Sequence, residues 1–287
     1  MLGVPLRYLL KHPIVGIADL AANPWQVCST IRDDYVAIRE QRAPACHYEP
    51  DEGWEARLHH SIGASWPCEA TAEFRALWPR ILKSIEEKGI RPGPESYQGW
   101  NDGDGGLVRA IWCLVRHLKP RIVIETGVAH GVTTRSILEG MERNGDGHLW
   151  SIDLPPIERH LRHHIGLAVD RGQFAKSWSL VKGSSRMRLP KLLADLGQID
   201  LFVHDSLHTE RNVRFELDLA WAMLRPGGAL VIDDVDANWG FHSFTQTFSN
   251  QQSMICVAEP VRPDLRRFNK KGLFGIILKQ PLSNRLP

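Results

Sequence analysis

Short apolar runs alternate with helix-spaced apolar residues along the second half of the chain. Residues 121–124 form an apolar run closed by Glu125, and Leu149-Trp150-Ser151-Ile152-Asp153 repeats the form. Ser179-Leu180-Val181-Lys182 reads as a third strand. Ile199-Asp200-Leu201-Phe202-Val203-His204 ends on Asp205, and Ala229-Leu230-Val231-Ile232 ends on Asp233 and Asp234. Runs of this length bounded by turn residues predict buried strands. Between the last two, Val213, Leu217, Ala220 and Leu224 recur at helical spacing, and Arg225-Pro226-Gly227-Gly228 stops that helix. Another helix opens at Thr133/Thr134. Residues 254–257 and 273–279 give two further strands with no helix-length link. Strands alternating with helices predict an α/β fold around a mostly parallel sheet.

The first 95 residues lack this alternation. Asn23-Pro24 reads as N-cap and first-turn proline of a helix reaching about residue 42. Residues 43–54, with Pro44, Pro50 and Gly53, read as loop. Residues 69–88 place Phe74, Leu77, Ile81 and Ile85 on one helical face, and Pro79 should kink that helix or begin a new one. Residues 91–94 are a linker. A turn over 101–106 precedes a helix over 107–118. The expected division is a helical extension over 1–95, serving as a substrate-side cap or an oligomer interface, and a ligand-binding domain over 96–287.

Composition narrows the function classes. The chain has 287 residues, 43% of them hydrophobic, enough for one large core. A net charge of +2 gives no sign of a nucleic-acid or acidic-membrane partner. The five cysteines (Cys28, Cys46, Cys68, Cys113, Cys256) show no C-x-x-C spacing, so neither a zinc knuckle nor a disulfide framework is suggested. A reducing cytoplasm fits. Pro5, Pro13 and Asp19 break the N-terminal apolar run, so neither a signal peptide nor a transmembrane span is expected. An amphipathic interfacial helix over residues 4–21 remains open.

The chemistry concentrates where the first strand ends. Glu125-Thr126-Gly127-Val128-Ala129-His130-Gly131 links it to the helix at Thr133. Strand, glycine turn and helix start are how an α/β sheet holds a ligand at a strand's carboxyl end. The glycines allow close backbone approach, and the helix start offers free N–H groups. The dinucleotide spacing G-x-G-x-x-G is absent. Ala129 takes the middle glycine's place, so its φ is expected to be ordinary.

That run resembles motif I, E/D-x-G-x-G-x-G, of the class I S-adenosylmethionine-dependent methyltransferases. The joint order of strands and acids resembles the same family over roughly residues 97–281. The resemblance implies a Rossmann-like seven-stranded sheet, mostly parallel, with a C-terminal antiparallel pair. It implies cofactor contacts at Glu125, Gly127, Ala129, His130, Gly131 and Thr133. Asp153 would hold the ribose hydroxyls, and Gly183, Ser184 and Ser185 would line the adenine side, with Asp205 nearby. Asp153→Ala is then expected to abolish cofactor binding with little loss of stability.

Asp205-Ser206-Leu207-His208-Thr209-Glu210, with Asp218-Leu219-Ala220-Trp221 and Leu224-Arg225-Pro226-Gly227-Gly228, resembles the cephalosporin-hydroxylase-type branch, which includes macrolide-sugar O-methyltransferases. That resemblance implies Asp205, Asp233 and Asp234 as ligands of a divalent cation such as Mg2+, and His208 as base. The chemistry agrees. Converging carboxylates repel unless a cation neutralises them, and hard oxygen donors select Mg2+, Mn2+ or Ca2+. A neutral histidine can accept a hydroxyl proton near neutral pH. The plain alternative is that Asp205 is a loop acid or helix N-cap, and that one of Asp233 and Asp234 binds the helix start while the other is solvated.

The expected function is methylation of a small hydroxylated acceptor, a sugar or natural-product scaffold, by a protein that could associate with itself. Two other classes stay open. Asp234-Val235-Asp236 spells the D-x-D of metal-dependent nucleotide-sugar glycosyltransferases, and a cofactor-binding partner protein without turnover would share the same loop. Several residues carry less weight. His160, His163 and His164 read as an exposed basic patch, His204 as a packed residue, and Tyr97 and Trp100 as covers for the ligand.

Overall fold

The computed structural model describes residues 20–21, 24–40, 46–90, 103–157, 159–259 and 272–280. The amphipathic segment before residue 20, the linker over 91–94, and Tyr97 and Trp100 lie outside them.

Seven strands form one sheet: β1 Ile122–Thr126, β2 His148–Asp153, β3 Trp178–Lys182, β4 Ile199–His204, β5 Leu224–Ile232, β6 Gln252–Val257 and β7 Leu273–Leu278. Their order is β3-β2-β1-β4-β5-β7-β6. The first five pair in parallel, whereas β7 runs antiparallel to β5 and β6. The helices are α1 Pro24–Glu40, α2 Trp54–Ser61, α3 Glu69–Glu86, α4 Gly105–Leu118, α5 Val132–Asn144, α6 Ser185–Leu196, α7 Glu210–Met223 and α8 Gly240–Thr247. Among the described residues, no helix is long and apolar enough to cross a membrane.

Strand periodicity divides the core between the two faces of the sheet. Val123, Leu201, Val203, Ala229 and Val231 face one way, against Leu107, Ile111 and Leu114 of α4 and Ile137 of α5. Their neighbours Ile124, Phe202, Leu230 and Ile232 face the other way, against Val213 and Leu217 of α7 and Phe241 and Phe244 of α8. Both faces are covered, so the strands read as nearly unbroken apolar runs. Phe74, Leu77 and Ile81 of α3 pack on Val108 and Trp112 of α4 in a third cluster. The extension therefore thickens one flank of the sheet through α2 and α3. It also shields an edge: Asp51 bridges to Cys256 of β6 and donates its N–H to the carbonyl of Ile255 at 2.8 Å.

α1 takes a different course. Gln26 Nε2 donates to the carbonyl of Pro155, just past β2, at 2.8 Å. At the other end, Glu40 Oε2 accepts the N–H of Glu210, the first residue of α7, at 2.6 Å. α1 thus runs from the loop after β2 to the loop after β4.

Several expectations need correction. Pro79 lies inside an unbroken α3. The second helix of the extension, α2, begins at Trp54, where loop was expected, and α8 had no sequence signal. α7 ends at Met223, as the Arg225–Gly228 stop predicts, but β5 begins at Leu224 rather than Ala229, pairs with Ile199, and shifts register before Leu201. Asp104 caps α4 two residues earlier than expected, accepting the N–H groups of Gly106 and Leu107 at 2.8 and 3.2 Å.

Asp200, the second residue of β4, locks three strands together. Its Oδ2 accepts the N–H groups of Arg121 and Ile122 at 2.6 and 2.8 Å, and its Oδ1 lies 2.8 Å from Arg225 Nε. Asp200→Ala should lower the unfolding free energy by about 2 kcal/mol, because two strand-entry donors lose their acceptor. A shift in the urea midpoint at constant slope would measure this, and an unchanged midpoint would refute it.

Candidate active site

The strand order reverses between β1 and β4, and crevices for ligands open beyond the carboxyl ends of strands at such a point. Gly127 occupies that point with φ 85°. A Cβ there would lie 1.8 Å from the carbonyl oxygen of Asp205, so only glycine lets the two loops touch. Gly131, with φ 82°, precedes α5 and offers no capping side chain, which leaves the first N–H groups of α5 for a ligand.

Ala129 departs from expectation: its φ is +45°, left-handed like that of the glycine it replaces. Three hydrogen bonds hold this strained backbone. Asp153 Oδ2 accepts the N–H groups of Val128 and Ala129 at 2.7 and 3.1 Å, and the carbonyl of Ala129 accepts from Gly166 at 2.8 Å. Asp153 is therefore structural as well as a candidate ribose ligand. Its replacement by alanine would strip two loop donors of their acceptor, so the expected neutrality of Asp153→Ala toward stability does not hold.

Glu125 is wholly buried. Its Oε2 accepts from Thr134 and Ser151, both at 2.7 Å, while Oε1 has no hydrogen-bond partner. Burial, joined by the nearby Asp153 carboxylate, pushes its pKa up to about 7. His130 is also fully buried, its ring 5.8 Å from that of His164. Burial and His164 lower its pKa to about 4. His163 is exposed, as expected, but half-buried His164 belongs to this inner pair. Thr133 is half-buried in the first turn of α5. On the β3 side, Gly183 donates its N–H to the carbonyl of Asp153 at 2.8 Å, and Ser184 begins α6. Ser185 instead hydrogen-bonds Glu216.

Beyond β4 and β5 the structure gathers Asp205, His208 and Asp233, whose ligand atoms all lie within 4.8 Å of one another. Burial and the Asp234 carboxylate push Asp205 and Asp233 well above the usual carboxylate range. Asp234 stands beside this trio: its Oδ2 is 3.6 Å from His208 Nδ1, while His208 Nε2 is 3.8 Å from Asp205. These are ion-pair separations rather than hydrogen bonds. Asp236 is buried and accepts the N–H of Leu273 at 3.4 Å.

A buried network beneath the trio escaped the sequence reading. Glu216 of α7 accepts from Thr126 Oγ1 at 2.6 Å and His204 Nδ1 at 2.7 Å through Oε2, and from Ser206 and Asn212 at 2.8 and 2.9 Å through Oε1. Burial alone would raise its pKa, but the charge and hydrogen bond of His204 prevail and lower it to about 2. The His204 ring meets His208 edge-on at 5.4 Å. One signal was available: an acid at position 216 shares the inward face of Val213 and Ala220.

Known proteins can be set beside this geometry. Residues 124–235 match the family model Methyltransf_24, a methyltransferase domain. No curated protein matches the chain. A protein from Klebsiella pneumoniae provisionally named an O-methyltransferase is 14% identical, with a TM-score of 0.50 over 80% of this chain and 97% of that one. The O-methyltransferase TomG from Streptomyces achromogenes, involved in tomaymycin synthesis and solved with S-adenosylmethionine, is also 14% identical, with a TM-score of 0.51 over the same shares. The chain shares the fold of these two structures. The matched segment runs from β1 to just past β5 and is similar to that methyltransferase-domain family.

Glu125 sets a pH test. Its folded pKa is above the unfolded value, so its contribution to stability is present below about pH 4.5 and is lost as pH rises through about 7. The amount is roughly 3 kcal/mol. Glu125→Gln keeps an oxygen for Thr134 and Ser151 but cannot titrate. The melting temperature of this variant should gain on wild type steadily from pH 4.5 to 7.5, and parallel curves would refute the shift.

Proposed function

We propose that the chain transfers a methyl group from S-adenosylmethionine to a hydroxyl oxygen of a small acceptor, of sugar or natural-product type, beside a divalent cation such as Mg2+. The observation that carries this reading is the convergence of Asp205, Asp233 and His208 at the carboxyl edge, next to the Gly127 loop. The names of the two solved neighbours point the same way.

The residues suit both groups. The uncapped start of α5, at Val132 and Thr133, offers N–H groups to the cofactor's carboxylate, and Gly127 and Gly131 let it approach. Asp153, Gly183 and Ser184 border its nucleoside end. Glu125 and His130, both buried, shape the loop from beneath. Asp205 and Asp233 offer hard oxygen donors, and burial first, then the Asp234 carboxylate, raises their pKa values, a crowding of acids that a cation would relieve. When bound, the cofactor would supply an electrophilic methyl group, and a cation held by Asp205 and Asp233 would lower the pKa of a nearby hydroxyl.

The protein's own residues align the acceptor and take its proton. His208 is the general base, an imidazole placed to accept the hydroxyl proton. The Asp234 carboxylate at 3.6 Å orients the imidazole and stabilises the charge it gains, so Asp234 serves the base rather than the cation. The Glu216–His204 pair supports His208 from below. α1 spans the loops after β2 and β4 and covers the ligand side, which is the role we assign to the described part of the 1–95 extension.

Calorimetric titration with S-adenosylhomocysteine should give micromolar affinity, and Mg2+ should bind separately. Asp205→Asn should abolish the Mg2+ signal. His208→Ala should keep cofactor affinity but lose about 10²–10⁴-fold in kcat on a panel of hydroxylated acceptors. An undiminished rate would remove His208 as base. Asp153→Asn keeps an acceptor oxygen for the loop, so retained affinity in a stable variant would remove its ribose role.

A further inference from the structure

A second cluster of ligand-type side chains lies between α2, α3 and α4. His59, Cys68 and Cys113 present one ligand atom each, all within 4.8 Å of one another. They come from three helices: His59 from α2, Cys68 from the N-cap of α3, and Cys113 from α4.

The imidazole is already oriented. His59 Nδ1 lies 2.6 Å from the carbonyl oxygen of Glu55 and donates to it, which leaves the Nε2 lone pair facing Cys68 Sγ at 2.9 Å. A histidine anchored to a carbonyl through one nitrogen and free at the other is the usual state of a metal-ligating imidazole. Cys68 Sγ accepts the N–H of Thr71 at 3.4 Å, at the N-terminus of α3. Thr71 Oγ1 spans the two sulfurs, 3.3 Å from Cys68 and 3.6 Å from Cys113. His117 lies one turn beyond Cys113 on α4, with its ring 5.3 Å from that of His59. Its Nε2 is shielded from solvent and has no hydrogen-bond partner. Trp66 covers His59 from outside, ring to ring at 4.8 Å.

We propose that His59, Cys68 and Cys113, completed by His117, bind a zinc ion that staples α2 and α3 to α4. Two sulfurs and two imidazoles select a tetrahedral, borderline-soft cation over the hard cations suited to Asp205 and Asp233. Tetrahedral zinc with such ligands sets neighbouring donors about 3.3–3.8 Å apart, so the three donors within 4.8 Å would draw together slightly and the His117 side chain would turn inward to complete the set. All four donors are spoken for, so the role is structural: the ion ties the N-terminal helices to α4, which leads into β1. It is independent of the methyltransferase reading, because no donor comes from the carboxyl edge of the sheet.

The full chain, purified without chelator, should carry about one zinc per molecule by elemental mass analysis. Replacing zinc with Co2+ should give the sulfur-to-cobalt charge-transfer band and the visible spectrum of a tetrahedral site. Cys68→Ser should lose both bound zinc and the cobalt band. That variant should fold, because serine is a good N-cap and keeps an acceptor for the Thr71 N–H. Asp205→Asn should retain the band, which separates this site from the carboxylate cluster. Absence of zinc together with absence of a thiolate–cobalt band would overturn the proposal. So would a band that survives in Cys68→Ser. So would a metal-free protein in which two of the five cysteines react with a thiol reagent only after reduction, the sign of a Cys68–Cys113 disulfide.

Discussion

Glu216 is the constraint on which the site depends. It is a single buried carboxylate that accepts from the end of β1 (Thr126), the end of β4 (His204), the following loop (Ser206) and its own helix (Asn212). Two strands that meet where the sheet reverses are thereby tied to one helix below the point where their loops separate. A charge in that position is costly unless every lone pair is used, and here each oxygen has at least two donors. Once the floor is fixed, the Asp205 backbone is brought against Gly127, and the edge of His208 rests on His204.

The same chemistry a few ångströms away has the opposite electrostatic result. Glu216 is held ionised because a histidine and several donors surround it. Glu125, Asp205 and Asp233 face one another and further acids, and desolvation leaves them reluctant to ionise. The molecule thus has a satisfied floor and a frustrated rim. Frustration of that kind is a common mark of sites that meet a charged ligand, since a uniformly satisfied cluster has no affinity left to offer. The positive φ of Ala129 belongs to the same rim, its strain held by Asp153.

Strands β1 to β5 were legible because each is an apolar run bounded by an acid or a glycine turn, and their order carried the fold class. The closeness of Asp205 and Asp233 was legible because each follows the end of one of two neighbouring strands, whereas His208 entered only through the family resemblance, since the loop after β4 sets its position. Other features depend on tertiary contact. α2 and α8 are each eight residues long and owe their existence to packing of Trp54 on Phe274 and of Phe241 and Phe244 in the core. Pro79 failed to break α3 because the face bearing Phe74, Leu77 and Ile81 is fixed on α4. The positive φ of Ala129 was hidden because the fold, not the residue type, imposes it. His59, Cys68 and Cys113 escaped notice because their separation along the chain matches no short metal motif.

The bridge from Asp51 to β6 bears on how copies of this chain can meet. An uncovered edge strand displays a row of backbone donors and acceptors that a second sheet can extend. At β6 that row is interrupted by the chain's own residue 51, which occupies the carbonyl of Ile255. A continuous intermolecular sheet cannot grow from this edge until that residue lets go. The short segment before α2 therefore acts as a stopper, and the side of the sheet farthest from the ligand edge is kept from templating aggregation.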